Sequence, residues 1–199
     1  MYFITTIGWI LLTILFYKIS PNFIIAKNWV SLVHALTVVI FYLIYLINME
    51  ETILFYISCT YYLLDTFYTI YYYVGIFDFG LILHHIFTIG AITYMKDEEV
   101  SGYVRFIFFV AELSNLPMYF AEYFEMIGNK RQAYNFILIE VIIYVILRLI
   151  FGLYVMYDVI KLEFPFIIIA AGTIIYIATF VLVVSQIKKL FNNNNIPYH

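Results

Sequence analysis

Apolar stretches long enough to cross a bilayer occupy most of this chain, and they constrain its fold class before any single residue is weighed. A membrane-spanning helix needs roughly 17–25 mostly apolar residues. Seven candidates follow one another: about Phe3–Ile19, Trp29–Asn48, Thr52–Val74, Phe79–Met95, Tyr103–Phe120, Ala133–Tyr157 and Phe164–Gln186. Only 12% of the residues are charged and 65% are hydrophobic, whereas soluble domains average about 25% and 45–50%. So few charges cannot cover a water-facing surface. The expected fold is all-α, a polytopic transmembrane helical bundle of six to seven spans.

The breaks between spans are short and polar: Pro21-Asn22, Asn48–Glu51, Gly75 followed by Asp78, Lys96–Glu99, Gly128–Arg131 and Asp158–Glu163. Asp78 suits the N-cap of the fourth helix. The third and fourth spans nearly run together, which leaves a six-span count open. The organisation expected is an N-terminal spanning helix and loop over 1–28, a main transmembrane domain over 29–186 and a polar C-terminal tail over 187–199. Phe3–Ile19 lacks the basic n-region and cleavage site of a signal peptide, so it is expected to span. With the N-terminus outside the cytosol, cytosolic loops would hold Lys18, Lys27, Lys130, Arg131, Lys188 and Lys189, against Lys96, Lys161 and Arg105 opposite. That asymmetry favours an odd number of spans and a cytosolic C-terminus.

A scattered net charge of −3 argues against a nucleic-acid partner. The single cysteine, Cys59, excludes an internal disulfide and any multi-Cys metal site. No internal repeat is visible, which weakens a transporter built from inverted repeats.

Polar residues inside the spans carry what chemistry there is. A charge near the bilayer centre costs roughly 2.5–3.5 kcal/mol on insertion scales, so each such residue needs a reason. His84 and His85 stand side by side in the fourth span and point about 100° apart on a helix. Ser31, His34 and Thr37 share one face of the second span. Tyr61, Asp65, Tyr68 and Tyr72 form a stripe on the third, a carboxylate among phenols. Thr88 lies four residues beyond His84, and Arg105, Glu112, Asn115 and Tyr119 line the fifth span. Glu140, Tyr144 and Arg148 recur every four residues in the sixth, a spacing that suggests a structural Glu140–Arg148 ion pair bridged by the phenol. His34 fits either a helix–helix hydrogen bond or a site group. Asp65 and Glu112, mid-span carboxylates, need histidine, arginine or a proton.

Counting removes several chemistries. Bis-histidine haem sites need histidines on facing helices, and only His34, His84 and His85 lie in spans. Membrane di-iron enzymes use more histidines, and no lysine sits within a late span for a retinal Schiff base. There is no Gly-rich phosphate loop and no G-x-S-x-G elbow. Neither a cofactor nor a metal is expected.

The order of these residues resembles the TLC (TRAM–Lag1–CLN8) membrane-domain family. Ser31-Leu32-Val33-His34-Ala35 looks like its S-x-x-H-A element, and Asp65 falls at its acidic position in the third helix. Leu83-His84-His85-Ile86-Phe87-Thr88 looks like its L-H-H-x-x-T core. Glu112-Leu113-Ser114-Asn115 resembles the element that follows, and Arg148 is at another typical position. The resemblance covers about Trp29 to Gln186. It implies an endomembrane bundle, often of the endoplasmic reticulum, that acts on or senses lipids. In the ceramide-synthase branch, which acylates a sphingoid base from acyl-CoA, the histidine pair is implicated in catalysis and an H-D-x-x-D element follows. Here Ala111 replaces that histidine, Glu112 keeps the first acid and Asn115 replaces the second.

The resemblance therefore favours a non-enzymatic protein that binds, senses or moves membrane lipids and influences membrane lipid composition. Its cavity would be lined by Ser31, His34, Asp65, Tyr68, Tyr72, His84, His85, Thr88, Glu112 and Asn115. One alternative is an acyl-CoA-dependent N-acyltransferase with His84 or His85 as base and Asp65 or Glu112 orienting the imidazole. Another is a cargo receptor or chaperone whose partner is a client membrane protein. A homodimer is compatible with each.

Overall fold

The computed structural model describes residues 1–45, 51–72, 76–93 and 101–193, and among them every regular element is helical. In lipid the backbone N–H and C=O groups find partners only in the chain itself, which a helix supplies. The elements are α1 (Tyr2–Ile19), α2 (Phe23–Tyr45), α3 (Glu51–Tyr72), α4 (Ile76–Thr93) and α5 (Ser101–Met126). Then α6 (Lys130–Ile143) continues through a π-helical segment, Tyr144–Ile150, into α7 (Phe151–Lys161). Last comes α8 (Phe166–Asn193). With α6, the π segment and α7 as one continuous rod, seven rods stand at the seven expected spans.

Five stretches are long and apolar enough to cross a membrane: Tyr2–Ile19, Phe23–Ile44, Gly102–Met126, Lys130–Lys161 and Phe166–Phe191. In α4 the apolar run is shorter, Ile82–Thr93. α3 is less apolar because it buries Ser58, Thr60, Asp65 and Thr69 along with its tyrosines.

The rods close into a ring. α2 packs on α5, α5 on α6, α6 on α8, α8 on α4, α4 on α3, and α3 returns to α2. α1 lies outside, against α2 and α3, where Trp9 Nε1 donates to the Ile57 carbonyl at 3.0 Å. The ring has an interior, and the site is built there.

Several boundaries differ from expectation, each for a local reason. The division between residues 28 and 29 falls inside α2, because Lys27 is half-buried and paired with α3 rather than exposed in a loop. α5 passes Phe120 and runs through Pro117 to Met126; proline removes one backbone donor, and neighbouring helices make that tolerable in a span. Residues 187–193 continue α8 instead of forming a tail, with Leu190 packed among Ala121 and Ile137 and Lys189 Nζ 3.3 Å from Glu125 Oε1. The α5–α6 turn needs the left-handed backbone of Gly128, φ 77°. Asn129 then caps α6 by accepting from the Gln132 N–H at 3.2 Å. α4 already begins at Ile76, so Asp78 lies in its first turn. The side chains of Asp78 and Tyr72 lie outside the described residues.

Candidate functional site

The expected polar residues divide into two groups across a wall formed by α3, α4 and α5, and Glu112 within that wall belongs to both. The first is a buried network among α2, α3, α4 and α5. Lys27 Nζ pairs with Asp65 Oδ1 at 3.0 Å, and Asp65 Oδ2 lies 3.5 Å from His85 Nε2. The other ring nitrogen of His85, Nδ1, is 3.1 Å from Thr66 Oγ1, which itself donates to the Tyr62 carbonyl at 2.7 Å. One turn away, His34 is fully buried and stacks on Tyr61 with ring centroids 3.8 Å apart. Its Nε2 meets Ser58 Oγ at 3.3 Å, and its Nδ1 lies 3.7 Å from Glu112 Oε1. Tyr62 donates its hydroxyl to the same Glu112 oxygen, and the Tyr61 hydroxyl donates to Ser31 at 2.8 Å.

Helical periodicity explains this network. Lys27, Ser31 and His34 fall at i, i+4 and i+7 on α2, one face turned toward α3. Ser58, Tyr62 and Thr66 recur every four residues on α3, beside the Tyr61–Asp65 stripe. Mutual pairing is the least costly state for such groups in a membrane.

The second group lines a cavity inside the ring. It contains about 1080 Å³ of empty space where its open side is included, and about 130 Å³ of that admits the centre of a water molecule. The wall comes from α3, α4, α5, the π segment, α7 and α8. One end is polar, with Tyr62, His84, Thr88, Glu112, Asn115 and Arg148. The other is apolar, with Ile92, Val104, Val155, Val159 and Ile168. Eleven residues of α8 separate Ile168 from Thr179 along the wall, a helical rise of roughly 16 Å.

The adjacent histidines are thus split. His85, 3% exposed, faces α3, whereas His84 lines the cavity. Among the described residues no side chain hydrogen-bonds His84. Thr88 Oγ1 and Glu112 Oε2 are buried without a hydrogen-bond partner, and both residues belong to the cavity wall.

Three expectations are corrected. First, Ser31, His34, Asp65, Tyr68 and His85 do not line the cavity. α2 contributes nothing to its wall, because its polar face is consumed by α3 and α5. Tyr68 lies instead in a small crevice with Trp9, Phe23, Lys27 and Asp65. Secondly, Glu140 and Arg148 form no ion pair. Glu140, fully buried, accepts from Gln186 Nε2 at 3.2 Å. Arg148 turns to α5, where Nε donates to Ser114 Oγ and Nη2 to the Ala111 carbonyl and Asn115 Oδ1, each at 2.6 Å. Glu140 and Arg148 lie eight residues apart, about 12 Å along the rod, and α8 takes Glu140 while α5 takes Arg148. Thirdly, Tyr144 does not bridge that pair; its hydroxyl donates to Asn115 Oδ1 at 2.9 Å, beneath the Arg148 guanidinium, 4.4 Å from the ring centroid.

Lys27, Ser58, Tyr62, Thr66, Ser114 and Gln186 were not singled out from sequence. Extending the α2 stripe back one turn would have found Lys27, and Tyr62 and Thr66 lie directly beside the Tyr61–Asp65 stripe. Ser114 lies within the Glu112–Asn115 element, and Gln186 had no comparable signal. Among the described residues no three His, Cys, Asp or Glu side chains converge as a metal ion would require.

A family model described as the TLC domain matches residues 24–191. No curated protein and no solved structure matches the chain.

Proposed function

This chain belongs to the TLC-domain family, as an integral multi-pass membrane protein, and on that premise we propose that it binds or moves a membrane lipid in its intramembrane cavity and so influences membrane lipid composition. The observation that carries this reading is the polarity gradient of the cavity. Its apolar end, from Ile92 to Ile168, suits an acyl tail, and its polar end, around His84, Asn115 and Arg148, suits a headgroup. Ligand sites are commonly apolar clefts with a few convergent polar groups.

Mass spectrometry of lipids that co-purify with the protein tests the reading. The wild-type protein is expected to retain a tailed lipid class, and Ala91→Phe, which fills the wall of the cavity, is expected to lose it while remaining monodisperse and helical. Equal lipid content in both, or none in either, overturns the proposal. An endomembrane location, the endoplasmic reticulum first, goes with this function and is checked by co-localisation with organelle markers.

A second reading, N-acyl transfer from acyl-CoA to a sphingoid base, is favoured by one feature. The His84 ring faces the cavity without a hydrogen bond from any described side chain, as a general base available to substrate would. Purified protein given both substrates is then expected to form ceramide, and His84→Ala to abolish it. An inert wild-type protein removes this reading and leaves the first intact.

A further inference from the structure

We propose that the lipid's headgroup is anionic, a carboxylate or a phosphate monoester on a single-chain lipid, held by Arg148 with Thr88 and His84; this rests on the lipid cavity proposed above. Arginine stays charged in proteins, and a charge at this depth calls for a partner. All the hydrogen-bond partners of Arg148 are neutral: Ser114 Oγ, the Ala111 carbonyl and Asn115 Oδ1. Among the described residues no carboxylate lies within the 4.0 Å of an ion pair with it.

Glu140, the acid on its own rod, is turned away to Gln186. Glu112 shares the cavity wall, but its Oε1 is held from the other side by the Tyr62 hydroxyl and lies 3.7 Å from His34 Nδ1. The guanidinium is therefore anchored in place without being neutralised by contact.

Its donors are also incompletely used. Nε and Nη2 are committed to α5, and Nη1 has no acceptor among the described residues. On the same cavity wall, Thr88 Oγ1 belongs to a residue only 6% exposed and has no partner. His84 adds a third group able to donate to that wall. Carboxylate and phosphate oxygens are the acceptors that match a fixed guanidinium plus hydroxyl and imidazole donors. A neutral alcohol or ester would leave the charge uncompensated.

The π segment supports a ligand role independently. Such segments are rare and concentrate at functional sites, and this one, Tyr144–Ile150, carries both Arg148 and the Tyr144 hydroxyl that fixes Asn115.

Equilibrium binding to purified protein in maltoside micelles tests the inference, with radiolabelled palmitate, hexadecanol and palmitoyl lysophosphatidate as probes at pH 8. Wild type is expected to bind palmitate or lysophosphatidate at least tenfold tighter than hexadecanol. Whichever of the two is preferred identifies carboxylate or phosphate as the natural head. Arg148→Gln should bring acid and alcohol within about twofold, and Arg148→Lys should retain part of the preference. Thr88→Val, a small change that keeps the helix intact, should reduce the preference severalfold and serves if Arg148→Gln fails to fold.

A wild type that binds neither palmitate nor lysophosphatidate more tightly than hexadecanol, or an unchanged ratio in Arg148→Gln or Thr88→Val, overturns the anionic head. If that unselective binding is lost in Ala91→Phe, the cavity still holds a lipid and only the headgroup inference falls. No binding of any of the three, with no co-purifying lipid, removes both.

Discussion

The Lys27–Asp65 pair offers the sharpest test of the buried network, because both charges leave water together and only one has a route back. Asp65 is 5% exposed and Lys27 17%, at 3.0 Å. Removing one partner of a buried pair costs about 3–5 kcal/mol, whereas replacing both by apolar groups is often neutral. Lys27 keeps a long stem and some exposure, so part of the loss is recovered as its ammonium snorkels outward. Asp65→Leu is therefore expected to cost about 2–4 kcal/mol, which for a chain of this size lowers Tm by roughly 4–16 °C. Lys27→Met leaves Asp65 with His85 Nε2 at 3.5 Å, a second polar partner, and should cost less. The double variant is expected within about 1.5 kcal/mol of wild type, clearly less than the sum of the two single losses. Reversible unfolding in mixed micelles, run on all four proteins, measures this. Additive losses would mean that the two charges are solvated separately and that the network does not hold α2 against α3.

Other substitutions separate the two sides of the wall. His85→Ala should destabilise by about 1–3 kcal/mol, since it strands one oxygen of Asp65 and removes the ring that joins Asp65 to Thr66. His84→Ala should stay within about 1 kcal/mol but change lipid retention; similar stability losses for the two would contradict the split. A cycle of Glu140→Gln with Arg148→Gln should show a coupling below ~0.5 kcal/mol, and a larger value would restore the ion pair that the contacts with α5 and α8 replace. An added Cβ at Gly172 would land on the Met156 sulfur, a flexible neighbour that can shift. Gly172→Ala is thus expected to cost about 1 kcal/mol, with much of it recovered when Met156 is also shortened to alanine. An undiminished loss in that double variant would place the strain in the backbone instead.

The helical bundle was legible in the sequence because the bilayer imposes a length and a polarity on every span, and both are local properties. The same holds for the divergence of His84 and His85: adjacent residues on a helix cannot face one way, whatever surrounds them. The stripe on α2 and the carboxylates Asp65 and Glu112 announced themselves by polarity alone. Which of them share a cavity was a different kind of question. His34, Asp65 and His85 had looked like companions of His84, yet the ring packs α2, α3, α4 and α5 so that Asp65 pairs with Lys27 and His85, and His34 with Ser58 and Glu112, inside the wall. The spacing of Glu140, Tyr144 and Arg148 does bring Arg148 over the Tyr144 ring, yet α8 draws Glu140 to Gln186 and α5 draws Arg148 to Ser114 and Asn115. Sequence spacing states which side chains share a face; only the packing of helices distant in the chain decides what that face meets. Here it turned one histidine to structure and left the other, with Arg148, facing the empty interior.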